Sequence, residues 1–167
     1  MEQTLRKAKS DLALSGVGAV AFGVWFFVKT ILYNLFAGNY VTGMFAFESR
    51  PDSEKRVILF LWFFLSFTVM LLHLYIGLCA FFEGIGRKIR HRKLYLFLAW
   101  ATFLGNGWSL IYNFISISSQ QATLLDWLCN VLMEVVRIAN LAALLRASRR
   151  VRQLTLEERK EAAKHAD

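Results

Sequence analysis

Proline and cysteine are nearly absent: the 167-residue chain has one proline and two cysteines. A disulfide-knit scaffold is thereby excluded, as are a collagen-like repeat and a disordered tail, which need compositions this chain lacks. Charge is scarce as well, at 19% of residues, and acids are fewer than bases, 12 against 20, for a net charge of +8. Also missing are the short motifs of common chemistry. There is no G-x-x-x-x-G-K phosphate loop, no G-x-G-x-x-G, no G-x-S-x-G and no H-E-x-x-H, so the Glu83 to Gly86 run reads only as a turn. What is abundant is apolar: 56% of residues are hydrophobic, with 15 phenylalanines, and they come in long blocks. An ordinary soluble domain does not have that pattern.

Four stretches, near residues 12–36, 57–82, 94–117 and 122–145, are long enough to cross a hydrocarbon core of about 30 Å, which takes roughly 20 helical residues. Backbone groups in lipid must be satisfied within each segment, and the alternation a β-barrel needs is absent, so the segments read as helices. The expected fold is an all-α integral membrane protein, an antiparallel four-transmembrane-helix bundle. Residues 1–11 form a cytoplasmic N-terminal segment, 12–145 the transmembrane domain, and 146–167 a basic cytoplasmic tail. The first apolar run is too long for a cleaved signal peptide and lacks a small-residue cleavage site, so it reads as a retained helix.

Charge sets the direction. Arg6, Lys7, Lys9, the loop cations Arg87, Lys88, Arg90, Arg92 and Lys93, and the tail cations from Arg146 onward all fall on one side. The other side has only Arg50, Lys55 and Arg56, offset by Glu48, Asp52 and Glu54. The positive-inside rule then puts both termini in the cytoplasm, as expected of a plasma-membrane protein. Tyr33, Tyr40, Trp62, Tyr112 and Trp127 gather at the outer helix ends, where an aromatic belt belongs.

The connections are short except for residues 37–56, whose Tyr40, Met44, Phe45 and Phe47 suggest a segment on the membrane surface. Arg50-Pro51 would end any helix there, and Asp52 or Ser53 would cap the next one. In the tail, Thr155 with Glu158 fits a capping box opening a separate helix after Leu154. Arg87, Lys88, Arg90, Arg146, Arg149, Arg150 and Arg152 are candidate contacts to anionic lipid at the cytoplasmic face. Because positive-inside topology accounts for the cations, no nucleic-acid partner is expected.

Lipid tails give no hydrophobic drive between helices, so small-residue seams and polar contacts must hold them. Ser15, Ala19 and Gly23 on the first helix, and Ala101, Gly105 and Ser109 on the third, are such seams. They would serve packing within the chain, or contact with a membrane-protein partner or a second copy.

The fourth helix is unusual, because Asp126, Asn130, Glu134, Arg137 and Asn140 share one face. Thr102, Asn106, Ser109 and Asn113 form a counterpart on the third. Charges at the bilayer centre cost about 2.5–3.5 kcal/mol on insertion scales, so this face should point inward. At ~1.5 Å of rise per residue, His73, Asn106, Glu134 and Arg137 fall ~12–18 Å deep, a candidate midplane layer with a Glu134–Arg137 pair. Lys29 and Asp126, ~25–28 Å deep by the same rise, form with Asn113 a candidate outer layer. There Lys29 either pairs across helices or snorkels outward. One histidine and one glutamate make no metal site, and Cys79 and Cys129 lie at different depths, which argues against a thiol oxidoreductase. No cofactor is implied. The expectation is a non-catalytic accessory, assembly or interaction component, the alternative a small transporter or channel subunit with a midplane site for an ion, proton or small polar or amphipathic ligand.

Overall fold

The computed structural model describes residues 2–32, 51–87, 89–115 and 124–164. These form four helices: α1 (Glu2–Leu32), α2 (Asp52–Gly84), α3 (Arg92–Ile115) and α4 (Leu124–Lys164). No strand occurs among the described residues. By length and composition α1, α2 and the Arg92–Tyr112 part of α3 can each cross a membrane.

The helix ends differ from the sequence expectation in three places. The segment before residue 12 is already helix: α1 starts at Glu2, which pairs with Arg6 at 2.7 Å, and Leu5 and Ala8 extend the buried stripe. At the start of α2 neither Asp52 nor Ser53 caps. Pro51 is the cap residue, no side chain bonds there, and its carbonyl accepts from the N–H groups of Glu54 and Lys55. Third, no separate helix opens at Thr155. Its hydroxyl bonds back to the Val151 carbonyl at 2.7 Å, inside a continuous 41-residue α4. At ~1.5 Å per residue that helix is ~61 Å long, about twice a hydrocarbon core. Residues 146–164 of the predicted tail therefore continue the helix of the fourth segment without a break.

α2 stops where Ile85 and Gly86 turn the chain. The N–H groups of Ile85, Gly86 and Arg87 bond back to Phe81, Glu83 and Phe82, and Gly86 takes φ +87°, a conformation that favours glycine. The chain then enters α3 with the His91 carbonyl accepting from Leu94 and Tyr95.

α1 and α2 pack antiparallel, backbone against backbone. A β-carbon added at Gly16 would sit 2.6 Å from the Gly77 carbonyl oxygen, one at Gly77 2.5 Å from that of Gly16, and one at Gly84 2.6 Å from the Ala13 nitrogen. α4 runs antiparallel along the other side of α1: Asn140 donates to the Ser15 carbonyl at 3.2 Å and Lys29 reaches Asn130. α3 completes the arrangement against α4, with a smaller contact to α2.

Each helix buries one stripe at three- and four-residue spacing. Leu12, Ile76, Ala80, Tyr95, Ala99 and Leu144 are fully buried, joined by Leu145, Ala147 and Val151. This core lies at the end where α1 starts and α2 finishes. Outside it the surface is strongly apolar: Phe60 is 67%, Leu104 63% and Trp108 73% exposed. Water does not tolerate apolar surface this continuous on a soluble monomer.

Of the two small-residue seams, Ser15, Ala19 and Gly23 are buried. The other is not. Ala101 and Gly105 are exposed, Ser109 is half-buried, and a β-carbon at Gly105 would meet nothing within 4 Å. The reason is rotational, since α3 turns its Tyr95, Ala99 and Asn106 face inward.

Candidate functional site

Three helices bring together most of the predicted midplane layer. On α4, one terminal nitrogen of Arg137 donates to both carboxylate oxygens of Glu134, at 2.8 and 2.6 Å. The same guanidinium lies 5.4 Å from the centre of the Phe26 ring on α1, a cation–π distance. His73 on α2 is 1% exposed. Gly23 makes room for this histidine, because a β-carbon there would fall 2.5 Å from that of His73.

The hydrogen bonds assign the tautomer. His73 Nδ1 is 2.9 Å from the Val69 carbonyl. A carbonyl can only accept, so Nδ1 carries the proton and Nε2 of the neutral ring is left as an acceptor. Buried His73 Nε2, Asn106 Nδ2 and Arg137 Nε find no partner among the described residues. Asn106 is buried on α3, and no bond ties its amide nitrogen to the other three residues. The layer thus splits into a joined part on α1, α2 and α4 and a separate asparagine. No three His, Cys, Asp or Glu side chains gather as a metal site among the described residues.

In the outer layer, Lys29 donates to the Asn130 side-chain oxygen on α4. It is therefore held across the α1–α4 contact and does not snorkel away. The side chains of its expected neighbours, Asp126 and Asn113, lie outside the described residues, as does Lys88.

A second polar node, unforeseen from the sequence, joins α2, α3 and α4 at the core end. Glu83 binds Arg92 at 2.6 Å through one oxygen and accepts from the Tyr95 hydroxyl through the other. Tyr95 OH also lies 3.2 Å from the Ser148 hydroxyl, and Arg92 donates to the Ser148 carbonyl at 3.1 Å. Tyr95 and Ser148 are almost entirely buried. The helical spacing of Leu144, Ser148 and Val151 could have flagged Ser148 as inward-facing despite its arginine neighbours. Those arginines point away: Arg146, Arg149, Arg150 and Arg152 are exposed, and Arg149 lies over the Trp100 ring at 5.5 Å. On the α2–α3 connection Arg90 is exposed, and so is Arg87, which packs over Phe82 at 5.4 Å.

No family model matches the chain, and neither the curated proteins nor the solved structures contain a match.

Proposed function

We propose that the chain is a non-catalytic, multi-pass protein of the plasma membrane, with four antiparallel spans and both ends in the cytoplasm, acting as an accessory or assembly component. The apolar exterior supports the membrane setting. For α4, the stretch from residue 124 to 145 covers ~33 Å at 1.5 Å per residue, enough for a fourth span. The observation that carries the functional reading is the two-pronged Glu134–Arg137 pair, which neutralises both charges within one helix while Arg137 packs on α1. The pair itself lies within α4, and it is the Arg137–Phe26 contact that ties the paired charge to α1, which favours a packing role for these residues.

Single and double replacements test this. Leaving one buried charge unpaired costs about 3–5 kcal/mol, whereas replacing both with apolar groups is often neutral. Glu134→Leu or Arg137→Met alone should therefore lower the thermal midpoint and the yield of monodisperse protein, and the double variant should recover both. A second reading, a small transporter or channel subunit, draws on the unpartnered nitrogens of His73, Asn106 and Arg137. It expects proton or ion flux in wild-type proteoliposomes, lost in a double variant that still folds. That result would reject the accessory reading.

A further inference from the structure

A cleft of about 540 Å³ opens at the start of α3, lined by Arg90, His91, Arg92, Lys93, Leu94, Leu96 and Arg152. No acid lines it. Arg92 is already held by Glu83, but Arg90, Lys93 and Arg152 have no acidic partner among the described residues. The cleft therefore gathers three uncompensated cations, which repel one another unless an anion sits among them. The N-terminus of α3 adds its partial positive charge at the same place.

The cleft is not purely polar. Leu94 and Leu96 form an apolar wall, and Leu94 also heads an exposed stripe down α3 through Phe97, Ala101, Leu104, Gly105 and Trp108. Within that stripe Ala101 and Gly105 leave a shallow groove between Phe97 and Trp108. Gly105 of that seam, whose added β-carbon would meet nothing within 4 Å among the described residues, lies on the same face as the cleft residue Leu94.

The geometry points to a binding site for one anionic phospholipid, with its phosphate among Arg90, Lys93 and Arg152 and an acyl chain along the Ala101–Gly105 groove. A free phosphate would satisfy the cations but not use the stripe, and a zwitterionic lipid would use the stripe but offset the cations poorly. The inference rests on the membrane reading above, since the groove needs acyl chains beside it.

The test is lipid retention by the full chain purified in detergent and titrated with dioctanoyl phosphatidylglycerol, dioctanoyl phosphatidylcholine or inorganic phosphate, read by native mass spectrometry. The wild type should retain the phosphatidylglycerol in preference to the phosphatidylcholine, and millimolar phosphate should not displace it. Each basic residue near a membrane surface contributes about a fivefold change in affinity, so Arg90→Gln/Lys93→Gln/Arg152→Gln should weaken binding on the order of a hundredfold. Arg159→Gln/Lys160→Gln/Lys164→Gln removes equal charge about two turns or more beyond Arg152 on α4 and should leave binding within a few fold. Gly105→Leu fills the groove and should weaken the lipid without affecting any binding of phosphate. Equal losses in both triple variants would overturn the site in favour of general surface attraction. Displacement by phosphate, or no preference over phosphatidylcholine, would also overturn it. Failure of the membrane reading is a separate result: the protein would then leave the membrane fraction without detergent.

Discussion

The backbone approach of α1 to α2 invites the smallest perturbation, one methyl group at Gly77. A β-carbon there lies 2.5 Å from the Gly16 carbonyl oxygen and 2.9 Å from the Val20 nitrogen. Both are backbone atoms of a helix and cannot rotate aside. Ordinary contact begins near 3.4 Å, so α1 and α2 must move apart by about 1 Å along this seam. Overpacking of that kind costs about 1–3 kcal/mol, and the separation also strips dispersion contacts from neighbouring pairs. We expect Gly77→Ala to cost about 1–2 kcal/mol net, after the roughly 1 kcal/mol that alanine gains over glycine in a helix is set against the upper part of that range. Gly105→Ala is the matched control, since nothing lies within 4 Å of its added carbon. It should be neutral or slightly stabilising. Reversible unfolding in mixed micelles, followed by far-ultraviolet circular dichroism, measures both variants. Equal destabilisation by the two, or none by Gly77→Ala, would refute backbone contact between α1 and α2.

Other parts of the structure yield shorter predictions. Tyr95→Phe removes a buried hydroxyl shared by Glu83 and Ser148 and should cost about 1–3 kcal/mol in the same unfolding assay. Gly18→Ala should cost less than Gly77→Ala, because the obstructing atoms belong to the Asn140 side chain, which can turn away. Thr155→Ala should change stability by less than about 0.5 kcal/mol, against the ~1 kcal/mol expected if Thr155 capped a helix. Lys29→Met should loosen α4 from α1, seen as faster amide exchange around Asn130, where a lysine snorkelling outward would leave exchange unchanged.

The long apolar segments were legible because length and composition alone decide whether a helix can cross a bilayer. Their extensions were not. The first turns of α1 look like a soluble leader, and only the burial of Leu5 and Ala8 on the other helices explains their place in the core. The Glu134–Arg137 pair was readable from i,i+3 spacing, since both partners belong to one helix. The Glu83 node was hidden in a polar run, where a carboxylate beside Gly84 and Arg87 reads as a solvent charge. Its partners Arg92, Tyr95 and Ser148 are fixed by tertiary contact. Small-residue spacing identified two seams, but spacing does not say which way a helix turns. Of the glycines that make the tightest approaches, Gly23 belongs to the first seam, whereas Gly16 and Gly77, which bring backbone to backbone, belong to neither.

The central claim is the even number of crossings, which places the end of α4 on the same side as the start of α1. Single cysteines at Gln3, Ser53 and Lys164 in a cysteine-free chain, challenged in intact cells with a membrane-impermeant maleimide, test it directly. We expect labelling at position 53 from outside, and at positions 3 and 164 only after permeabilisation. Labelling of position 164 in intact cells would mean that α4 does not cross, and would contradict the four-span architecture.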